Sequence, residues 1–417
     1  MTSVLCLTSW YPPHHFGGYE LSCHDVMVRL VERGHRVEVL TSDHRHPGPD
    51  LPDTPGVPVH RELRLYFRDG DLWSPGPLGR LAVERHNQRA LRDALRRVRP
   101  DVVAVWHMGA LSLGLLSTLI AEGVPVVYAV SDDWPAYVRQ LDPWHRMWRR
   151  APAAAGRLFE RVTRVPVSLP DLDRSGRFCF ISEVTRERCR RSSPWSFPAS
   201  SLVYSGFDGR RFAGGRDEPV RLDGDAVRLL YVGRIDERKG IRTIVRALPL
   251  LPGATLVIDG QASDDDRALL RRWTDEAGVT DRVTVQRSAR DDLPAVYRSA
   301  DVLVFASEWE EPFGLVPLEA MACGTPVVAT GVGGSGEFLV DGENAALFTA
   351  GDPRSLADAV ARLRADPALV DRLVAGGLAT AERFDVEHLT NTFEHWYDAA
   401  AAGRHLDELG HAGSGAG

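Results

Sequence analysis

Short apolar runs alternate with longer amphipathic stretches along the whole chain, and this alternation predicts βαβ units built on parallel sheets. Five runs in the first half predict strands: Val4–Thr8, Arg36–Leu40, Val102–Trp106, Val126–Val130 and Phe178–Ile181. Five runs in the second half predict another series: Arg228–Val232, Thr255–Ile258, Val283–Val285, Val302–Phe305 and Val327–Ala329. Each series is sufficient for one doubly wound sheet, so the pattern predicts an α/β protein with two Rossmann-like domains.

The segment between the two series, residues 208–225, is rich in glycine, arginine and aspartate and lacks periodic apolar positions, which predicts a linker. We therefore expect one domain over residues 1–207 and a second over residues 208–383. Apolar residues recur at helical spacing over residues 384–402, and we expect this helix to pack back on the amino-terminal domain. Residues 403–417 end in Gly-Ser-Gly-Ala-Gly and are expected to form a disordered tail.

Composition narrows the class of protein. The chain has 417 residues, of which 44% are hydrophobic and 26% charged, as in an ordinary globular protein with more than one core. A net charge of −7 argues against a nucleic-acid-binding protein. The five cysteines show no C-x-x-C spacing and indicate buried thiols in a reducing cytoplasm. We find no basic leader and no long apolar run, so we expect neither a signal peptide nor a membrane span.

Every basic residue of the chain except Lys239 is an arginine. A lysine that persists in such a composition suggests a site that needs a compact ammonium and not a planar guanidinium. Lys239 lies in a Gly233-Arg234 to Lys239-Gly240 loop at the end of a predicted strand, where open α/β sheets hold phosphates. The alternative is chance, because a single lysine must lie somewhere.

A second candidate segment runs from Glu311 to Glu319, after the predicted strand Val302–Phe305. It leads through Pro-Phe-Gly into a predicted helix, whose first backbone N–H groups are free to bind an anion. We expect Glu319 near the first turn of that helix, where a carboxylate can accept the paired hydroxyls of a ribose. Two carboxylates beside an anion site suggest that the ligand is a nucleotide sugar. The alternative is that Glu319 caps the helix and Glu311 is solvated.

These segments closely resemble the retaining GT-B glycosyltransferases of glycosyltransferase family 4. The resemblance covers Gly17-Gly18-Tyr19-Glu20, the Lys239 loop, the Glu311 and Glu319 pair, and Gly333-Gly334-Ser335-Gly336-Glu337 in the order of the family. It implies the GT-B fold, in which two Rossmann-like domains face a central cleft.

The resemblance implies a role for each matched residue on the donor side. Arg234 and Lys239 would hold the donor diphosphate, helped by the loop and the helix start, which comprise Gly233, Phe313, Gly314, Leu315 and Val316. Glu319 would bind the ribose, and Glu311 would contact the hydroxyls of the donor sugar at the reaction centre. Gly17 and Gly18 would let the amino-terminal loop approach the donor phosphate.

On the acceptor side, His107 matches the active-site histidine of the family, although a histidine at a strand end is more often structural. The family commonly has a His-Asp pair after the fourth strand, where this chain reads Ser131-Asp132-Asp133-Trp134. Asp133 is the best substitute, and Glu20 is a further acceptor-side candidate. The loop Gln286–Arg290 also departs from the family pattern, which leaves recognition of the base open.

The stretch Arg139–Arg164 is unusually basic, with seven arginines against Asp142 and Glu160, and it includes Trp144 and Trp148. Tryptophan together with arginine is typical of a surface on an anionic membrane, and also of a lid over a soluble acceptor. The plainest interpretation is a solvated helix whose tryptophans face the core. We expect no membrane association. The alternative is that the protein associates with a membrane through this stretch.

The resemblance therefore implies a metal-independent, retaining transferase that moves a hexose from an NDP-sugar, with GDP or UDP, to an acceptor. The short basic stretch and the negative net charge favour a small secondary-metabolite acceptor over a lipid. The nucleotide sugar is a co-substrate, so no cofactor and no metal are expected, and the location is expected to be cytoplasmic. Three alternatives remain: transfer to a membrane lipid or cell-envelope acceptor, a nucleotide-sugar 2-epimerase, and a non-catalytic nucleotide-sugar binder. A nicotinamide oxidoreductase is disfavoured because G-x-G-x-x-G does not follow the first strand.

Overall fold

The computed structural model describes residues 1–45, 56–68, 70–216, 218–222 and 226–404. The chain divides into two compact units: an amino-terminal unit of Met1–Ser205 with Glu387–Gly417, and a carboxyl-terminal unit of Gly206–Val386. The division falls after Ser205, two residues before the predicted boundary. Most of the predicted tail, residues 405–417, lies outside the described residues.

The amino-terminal unit is built on a seven-stranded sheet in the order β3-β2-β1-β6-β7-β8-β9, with every neighbouring pair parallel. Its strands, with the small antiparallel pair β4 and β5, are β1 (Ser3–Thr8), β2 (Arg36–Ser42), β3 (Val59–Leu63), β4 (Phe67–Arg68), β5 (Asp71–Leu72), β6 (Val102–His107), β7 (Val126–Val130), β8 (Arg177–Phe180) and β9 (Ser200–Leu202). Every residue of β6 and β7 is buried, because a parallel sheet is covered on both faces.

The helices of this unit connect the parallel strands. They are α1 (Gly18–Glu32), α2 (Pro77–Val98), α3 (Gly114–Glu122), α4 (Trp134–Leu141), α5 (Pro143–Trp148), α6 (Ala153–Thr163) and α7 (Glu183–Ser192). The core between sheet and helices includes Leu5, Leu91, Val105, Leu116 and Tyr128, all fully buried.

The carboxyl-terminal unit contains a six-stranded sheet in the order β12-β11-β10-β13-β14-β15, with every neighbouring pair parallel. Its strands are β10 (Val227–Val232), β11 (Ala254–Asp259), β12 (Val283–Gln286), β13 (Val302–Phe305), β14 (Val327–Ala329) and β15 (Ala346–Leu347). Its helices are α8 (Gly209–Phe212), α9 (Ile241–Ala247), α10 (Asp264–Ala277), α11 (Leu293–Ser299), α12 (Leu315–Ala322), α13 (Pro353–Ala365) and α14 (Pro367–Arg383). The order places β10 and β13 at the point where the winding reverses, which is where such sheets bind ligands.

The last helix, α15 (Val386–Ala401), packs on the amino-terminal unit from Glu387 onward. The ring centroids of Phe393 and Trp106 are 4.9 Å apart, and the Arg177 guanidinium lies 3.8 Å from the centre of the Trp396 ring. Aromatic and cation–π contacts of this kind stabilise such a helix beyond its buried area.

The prediction of two parallel-sheet α/β domains is confirmed. The linker prediction over residues 208–225 is wrong in part, because Gly209–Phe212 forms α8 and its Phe212 is fully buried. One aromatic residue in a polar segment suffices to anchor a single helical turn. The short edge strands β3, β9 and β15 carry weak apolar patterns and have no counterpart among the predicted strands.

Candidate functional site

The loop after β10 holds Lys239 in a fixed position. The Tyr231 hydroxyl donates to the Arg234 carbonyl oxygen at 2.6 Å, and the Arg234 side chain is exposed. A single 3-10 turn, Glu237–Lys239, begins at Asp236, whose carboxylate accepts the Arg238 N–H at 3.0 Å. The turn ends at Gly240 with φ of 70°, where a Cβ would clash with the Ala306 carbonyl oxygen, so only glycine fits.

Lys239 and Glu311 form an ion pair, with 3.1 Å between Nζ and Oε1. The other carboxylate oxygen of Glu311 accepts the Ser307 hydroxyl at 3.1 Å and the Trp309 indole N–H at 2.8 Å. Glu311 is 13% exposed and Lys239 is 24% exposed, so both remain accessible to a ligand. Three donors on one carboxylate fix its orientation more closely than a surface ion pair would.

The Gly333-Gly334 segment holds the backbone of Glu311. Gly334 N donates to the Glu311 carbonyl oxygen at 2.7 Å. At Gly333, φ is 75°, and a Cβ would clash with the Glu311 backbone. These glycines therefore allow the close approach of two backbone segments that sets the position of the Glu311 carboxylate.

Helix α12 begins beside this segment. Gly314, with φ of 98°, precedes its first residue, Leu315. The N–H groups of Leu315 and Val316 have no intrahelical acceptor at a helix start, and Pro317 has no N–H, so the site offers an anion a small set of donors. Phe313 does not line this site, because its buried ring packs 5.1 Å from Phe338 and 5.5 Å from Phe384.

Glu319 is the fifth residue of α12, at the start of the second turn and close to the first turn where it is expected. Its Oε2 accepts the Tyr297 hydroxyl at 2.7 Å. Burial raises the pKa of Tyr297, and the charge of Glu319 raises it further, so the phenol remains a hydrogen donor to the carboxylate. Sequence reasoning missed Tyr297, since it lies 22 residues from Glu319 in a helix that carries no motif.

The loop after β12, which departs from the family pattern, is held by the buried Asp259 at the end of β11. Its carboxylate accepts the Gln286 amide at 2.7 Å, and the Ser288 N–H and hydroxyl at 3.0 and 2.5 Å. A carboxylate with three donors in this arrangement fixes the loop without the usual glycine.

In the amino-terminal unit, β6 ends at the buried His107. Gly109 N lies 3.3 Å from His107 Nδ1, and Nε2, on the other side of the ring, lies 3.2 Å from Asp132 Oδ2. The same carboxylate oxygen accepts the Tyr137 hydroxyl at 2.8 Å. Burial raises the pKa of Asp132, but the charge and hydrogen bond of His107 and the Tyr137 hydroxyl outweigh it, so the pKa is below its usual range.

Aromatic rings surround His107. The Tyr19 ring lies 4.7 Å from the imidazole centroid and the Trp10 ring 5.4 Å from it. Trp10 also contacts Phe16 at 5.3 Å and Phe67 at 5.7 Å, and Phe16 is 40% exposed. We call Trp10, Phe16, Tyr19 and Phe67 the aromatic cluster.

The other two acceptor-side candidates have structural partners. Glu20 is fully buried and accepts the N–H groups of Gly17 at 2.9 Å and Phe16 at 3.3 Å, which fixes the start of α1 where Gly18 is the first residue. Asp133 faces Arg188 at 3.3 Å, so the structure places Asp132 and not Asp133 against His107. Burial raises the pKa of Glu20.

No group of three histidine, cysteine or acidic residues in the described ranges could hold a metal ion. The three aspartates 264–266 open α10, where Ser263 accepts the Asp266 N–H at 3.1 Å in a capping box. Within the same ranges, none of the helices has the length and apolarity that crossing a bilayer requires.

Two family models match consecutive parts of this chain. "Glycosyltransferase Family 4" matches residues 16–208, and "Glycosyl transferases group 1" matches residues 217–378. D-inositol 3-phosphate glycosyltransferase from Xylanimonas cellulosilytica is 39% identical over 189 residues, 44% of this chain and 43% of the relative. Glycogen synthase from Mycobacterium tuberculosis is 28% identical over 95% of this chain and 92% of the relative.

Among solved structures, sucrose-phosphate synthase from Thermosynechococcus elongatus has a TM-score of 0.73 at 23% identity, covering 96% of this chain and 100% of that chain, which shows a shared fold. The chain spans about half the length of the inositol-phosphate relatives that it matches. The order of the two family models agrees with the order of the motifs along the sequence.

Proposed function

The chain belongs to the GT-B glycosyltransferases, and from this premise we propose that it transfers a hexose from a nucleoside diphosphate sugar to a small acceptor. The observation that carries the proposal is the ion pair of Lys239 and Glu311, which lies beside the start of α12. This arrangement supplies a cation for a diphosphate and a carboxylate for sugar hydroxyls within one loop cluster of the carboxyl-terminal unit.

Each donor-side residue has a chemical task in the proposal. Lys239, Arg234 and the amides at the start of α12 bind the diphosphate, whose negative charge grows as the glycosidic bond breaks. When Lys239 turns to the diphosphate, Glu311 keeps its hydrogen bonds from Ser307 and Trp309 and can accept hydroxyls of the sugar. Glu319, oriented by Tyr297, accepts the ribose hydroxyls.

Retention and independence from metal are parts of the proposal. The two cations Lys239 and Arg234, together with a helix start, can balance the charge of a diphosphate without a divalent ion. In the retaining reaction, the acceptor hydroxyl or thiol attacks the anomeric carbon on the face from which the diphosphate leaves, and the departing phosphate takes the acceptor proton. The products are the glycosylated acceptor and a free nucleoside diphosphate.

For the acceptor, the aromatic cluster beside His107 favours a small molecule with a flat apolar body, as in many secondary metabolites. Aromatic faces give such a body contact area at little entropic cost, while the buried His107 and Asp132 pair offers a polar end. The relatives are named for inositol phosphate and for glycogen, which are polar molecules. The cluster is therefore the observation that favours a different acceptor class in this chain.

The proposal is tested by incubating the full chain with UDP-, GDP-, ADP- and TDP-hexoses, with and without a panel of aromatic alcohols. We expect release of free nucleoside diphosphate only when donor and acceptor are both present, and an unchanged rate in EDTA. NMR of the donor alone detects 2-epimerisation. Tight donor binding without turnover would instead identify a binding protein, and activity that EDTA abolishes and Mg²⁺ or Mn²⁺ restores would refute metal independence.

A further inference from the structure

An open pocket of about 540 Å³ lies in the amino-terminal unit, bordered by α4, α5, α6 and the loop that precedes β8. Three arginines line it, Arg139, Arg149 and Arg157, together with His145, Trp148 and Ser168. The described lining contains no aspartate or glutamate. An open site with one sign of charge concentrates ligands of the opposite sign.

These three arginines differ from those of the neighbouring helix. In α7, Arg186 and Arg190 each pair with a glutamate three residues earlier, and Arg188 pairs with Asp133. By contrast, the described residues place no carboxylate within ion-pair distance of Arg139, Arg149 or Arg157. The pocket therefore has guanidinium groups whose charge is not balanced locally.

The two acidic residues of the same stretch point elsewhere. Asp142 is buried and accepts the N–H groups of Leu113 at 3.0 Å and Trp144 at 2.8 Å. Glu160 accepts the N–H groups of Val167 and Ser168, both at 2.7 Å. Backbone donors thus occupy both carboxylates, which leaves the arginines available to an external anion.

His145 forms part of the pocket wall. Its Nδ1 lies 2.7 Å from Asp142 and its Nε2 lies 3.2 Å from the Ser168 carbonyl oxygen. Burial lowers the pKa of His145, but the charge and hydrogen bond of Asp142, the hydrogen bond to Ser168 and the charge of Glu84 together outweigh it, so the net shift is upward. Because both ring nitrogens have acceptors and Asp142 balances an imidazolium charge, His145 shapes the wall and leaves anion binding to the arginines.

We propose that this pocket is an oxyanion site for a phosphate group, distinct from the diphosphate site of the carboxyl-terminal unit. Guanidinium forks match pairs of phosphate oxygens, and Arg139, Arg149 and Arg157 present three of them without competing carboxylates. Arg139 lies in α4, the helix whose Tyr137 contacts Asp132 beside His107. The phosphate site is therefore built on the same helix as the candidate acceptor site.

The phosphate has two possible sources, a soluble phosphomonoester or a lipid headgroup. Leu158 and Val162, one turn apart on α6, are 64% and 74% exposed next to the pocket. An exposed apolar pair beside unpaired arginines would also suit a lipid surface. Leu158→Glu separates the sources, because it places a carboxylate in a lipid contact without removing a guanidinium from the pocket.

The test uses the full chain and three probes: inorganic phosphate, glycerol phosphate and vesicles containing phosphatidic acid. Calorimetry compares the wild type, the double variant Arg149→Ala/Arg157→Ala, and the control Arg161→Ala, which removes another exposed arginine of α6 that does not line the pocket. Lys239→Ala is included because phosphate also binds at a diphosphate site. Circular dichroism checks that each variant is folded.

We expect the double variant to weaken phosphate binding by roughly tenfold or more, the effect of losing hydrogen bonds from charged donors, while Arg161→Ala stays within about twofold. Glycerol phosphate binding that is lost in the same double variant supports a soluble source. Vesicle binding that is lost in both the double variant and Leu158→Glu supports a lipid source. Unchanged phosphate binding in the double variant, or an equal loss in Arg161→Ala, overturns the proposal. The result for Lys239→Ala bears only on the donor diphosphate site, so the two proposals can fail separately.

Discussion

Lys239 donates to Glu311 across 3.1 Å, so the chain's single lysine is ion-paired with the carboxylate that is proposed to contact the donor sugar. The pair links two loops, one after β10 and one after β13. Each partner therefore influences the charge that the other presents to a donor, and single substitutions at the two positions should not act independently.

Lys239→Ala is expected to lower turnover by about 10²–10³-fold, the usual loss when one donor to developing anionic charge is removed. Lys239→Arg keeps the charge but replaces a compact ammonium with a planar fork, so we expect a substantial loss there too. Steady-state kinetics at saturating donor measures both. Arg238→Ala is the control, since its 65% exposed side chain pairs with Asp236. Wild-type turnover in Lys239→Arg would show that arginine serves equally well at this position and that the single lysine lies there by chance.

Lys239 also gives amine-selective reagents a single side-chain target besides the amino terminus. Saturating nucleoside diphosphate should protect it from labelling, because a bound phosphate would cover the ammonium. Mass spectrometry of the labelled chain, with and without nucleotide, measures the protection. Equal labelling in both samples would exclude Lys239 from the phosphate site.

Glu319→Ala is expected to weaken binding of the free diphosphate by at least about tenfold, because paired hydrogen bonds to the ribose are lost. Glu311→Ala should lower turnover but leave that affinity equal or higher, since a free nucleoside diphosphate has no sugar and Lys239 becomes unpaired. Calorimetry with the free nucleotide separates the two variants. Equal losses of affinity would contradict the assignment.

Tyr297→Phe tests whether Glu319 needs its buried donor. The phenol contributes a 2.7 Å hydrogen bond to the carboxylate, so its removal should weaken nucleotide binding by roughly threefold to tenfold, less than Glu319→Ala. Thermal unfolding of the free variant reports any general loss of packing. If affinity were unchanged, Tyr297 would be a packing residue and not a positioning residue.

The sequence predicts the sheets well because central parallel strands are continuous apolar runs, as in β6 and β7. It also marks the loops that the structure brings together at Lys239 and Glu311, since glycines with restricted geometry lie in them, as at Gly240 and Gly333. Edge strands such as β15 escape prediction, because two residues leave no periodic signal.

The pairing of site residues could not be predicted in the same way. Asp132 and Asp133 are adjacent in the sequence, and only the course of the chain before α4 turns Asp132 toward His107 and Asp133 toward Arg188. The Tyr297 contact likewise depends on the packing of α11 against α12, a long-range relation that spacing along one chain does not encode.

Asp132→Asn is expected to lower the free energy of unfolding by roughly 1.5–3 kcal/mol near neutral pH, because the buried His107 and Tyr137 lose a charged acceptor. The Asp132 pKa is lowered in the folded state, so its contribution is present above the unfolded value of about 3.9 and is lost as the pH falls through the folded value. Urea unfolding of the wild type and Asp132→Asn, from neutral pH to below the folded pKa of Asp132, measures this contribution to the free energy of unfolding. A difference that stays constant at acidic pH would contradict the assignment, and Asp133→Asn, whose carboxylate faces Arg188 and not His107, is the control.

Glu84 should make the folded protein less stable as the pH rises. It is fully buried on the inner face of α2, where it accepts the Tyr66 hydroxyl at 2.8 Å. Burial, and next the charge of Asp142, raise its pKa to about 8. The folded chain therefore retains this proton while the unfolded chain releases it above about pH 4.3, so stability falls by up to about 1.4 kcal/mol per pH unit between these values.

Glu84→Gln keeps an acceptor for Tyr66 but cannot ionise, so it should remove this part of the pH dependence of stability. Glu122→Gln, at a 48% exposed position, should not remove it. Urea unfolding at several pH values measures the slopes. Parallel curves for wild type and Glu84→Gln would show that Glu84 is already ionised in the folded protein.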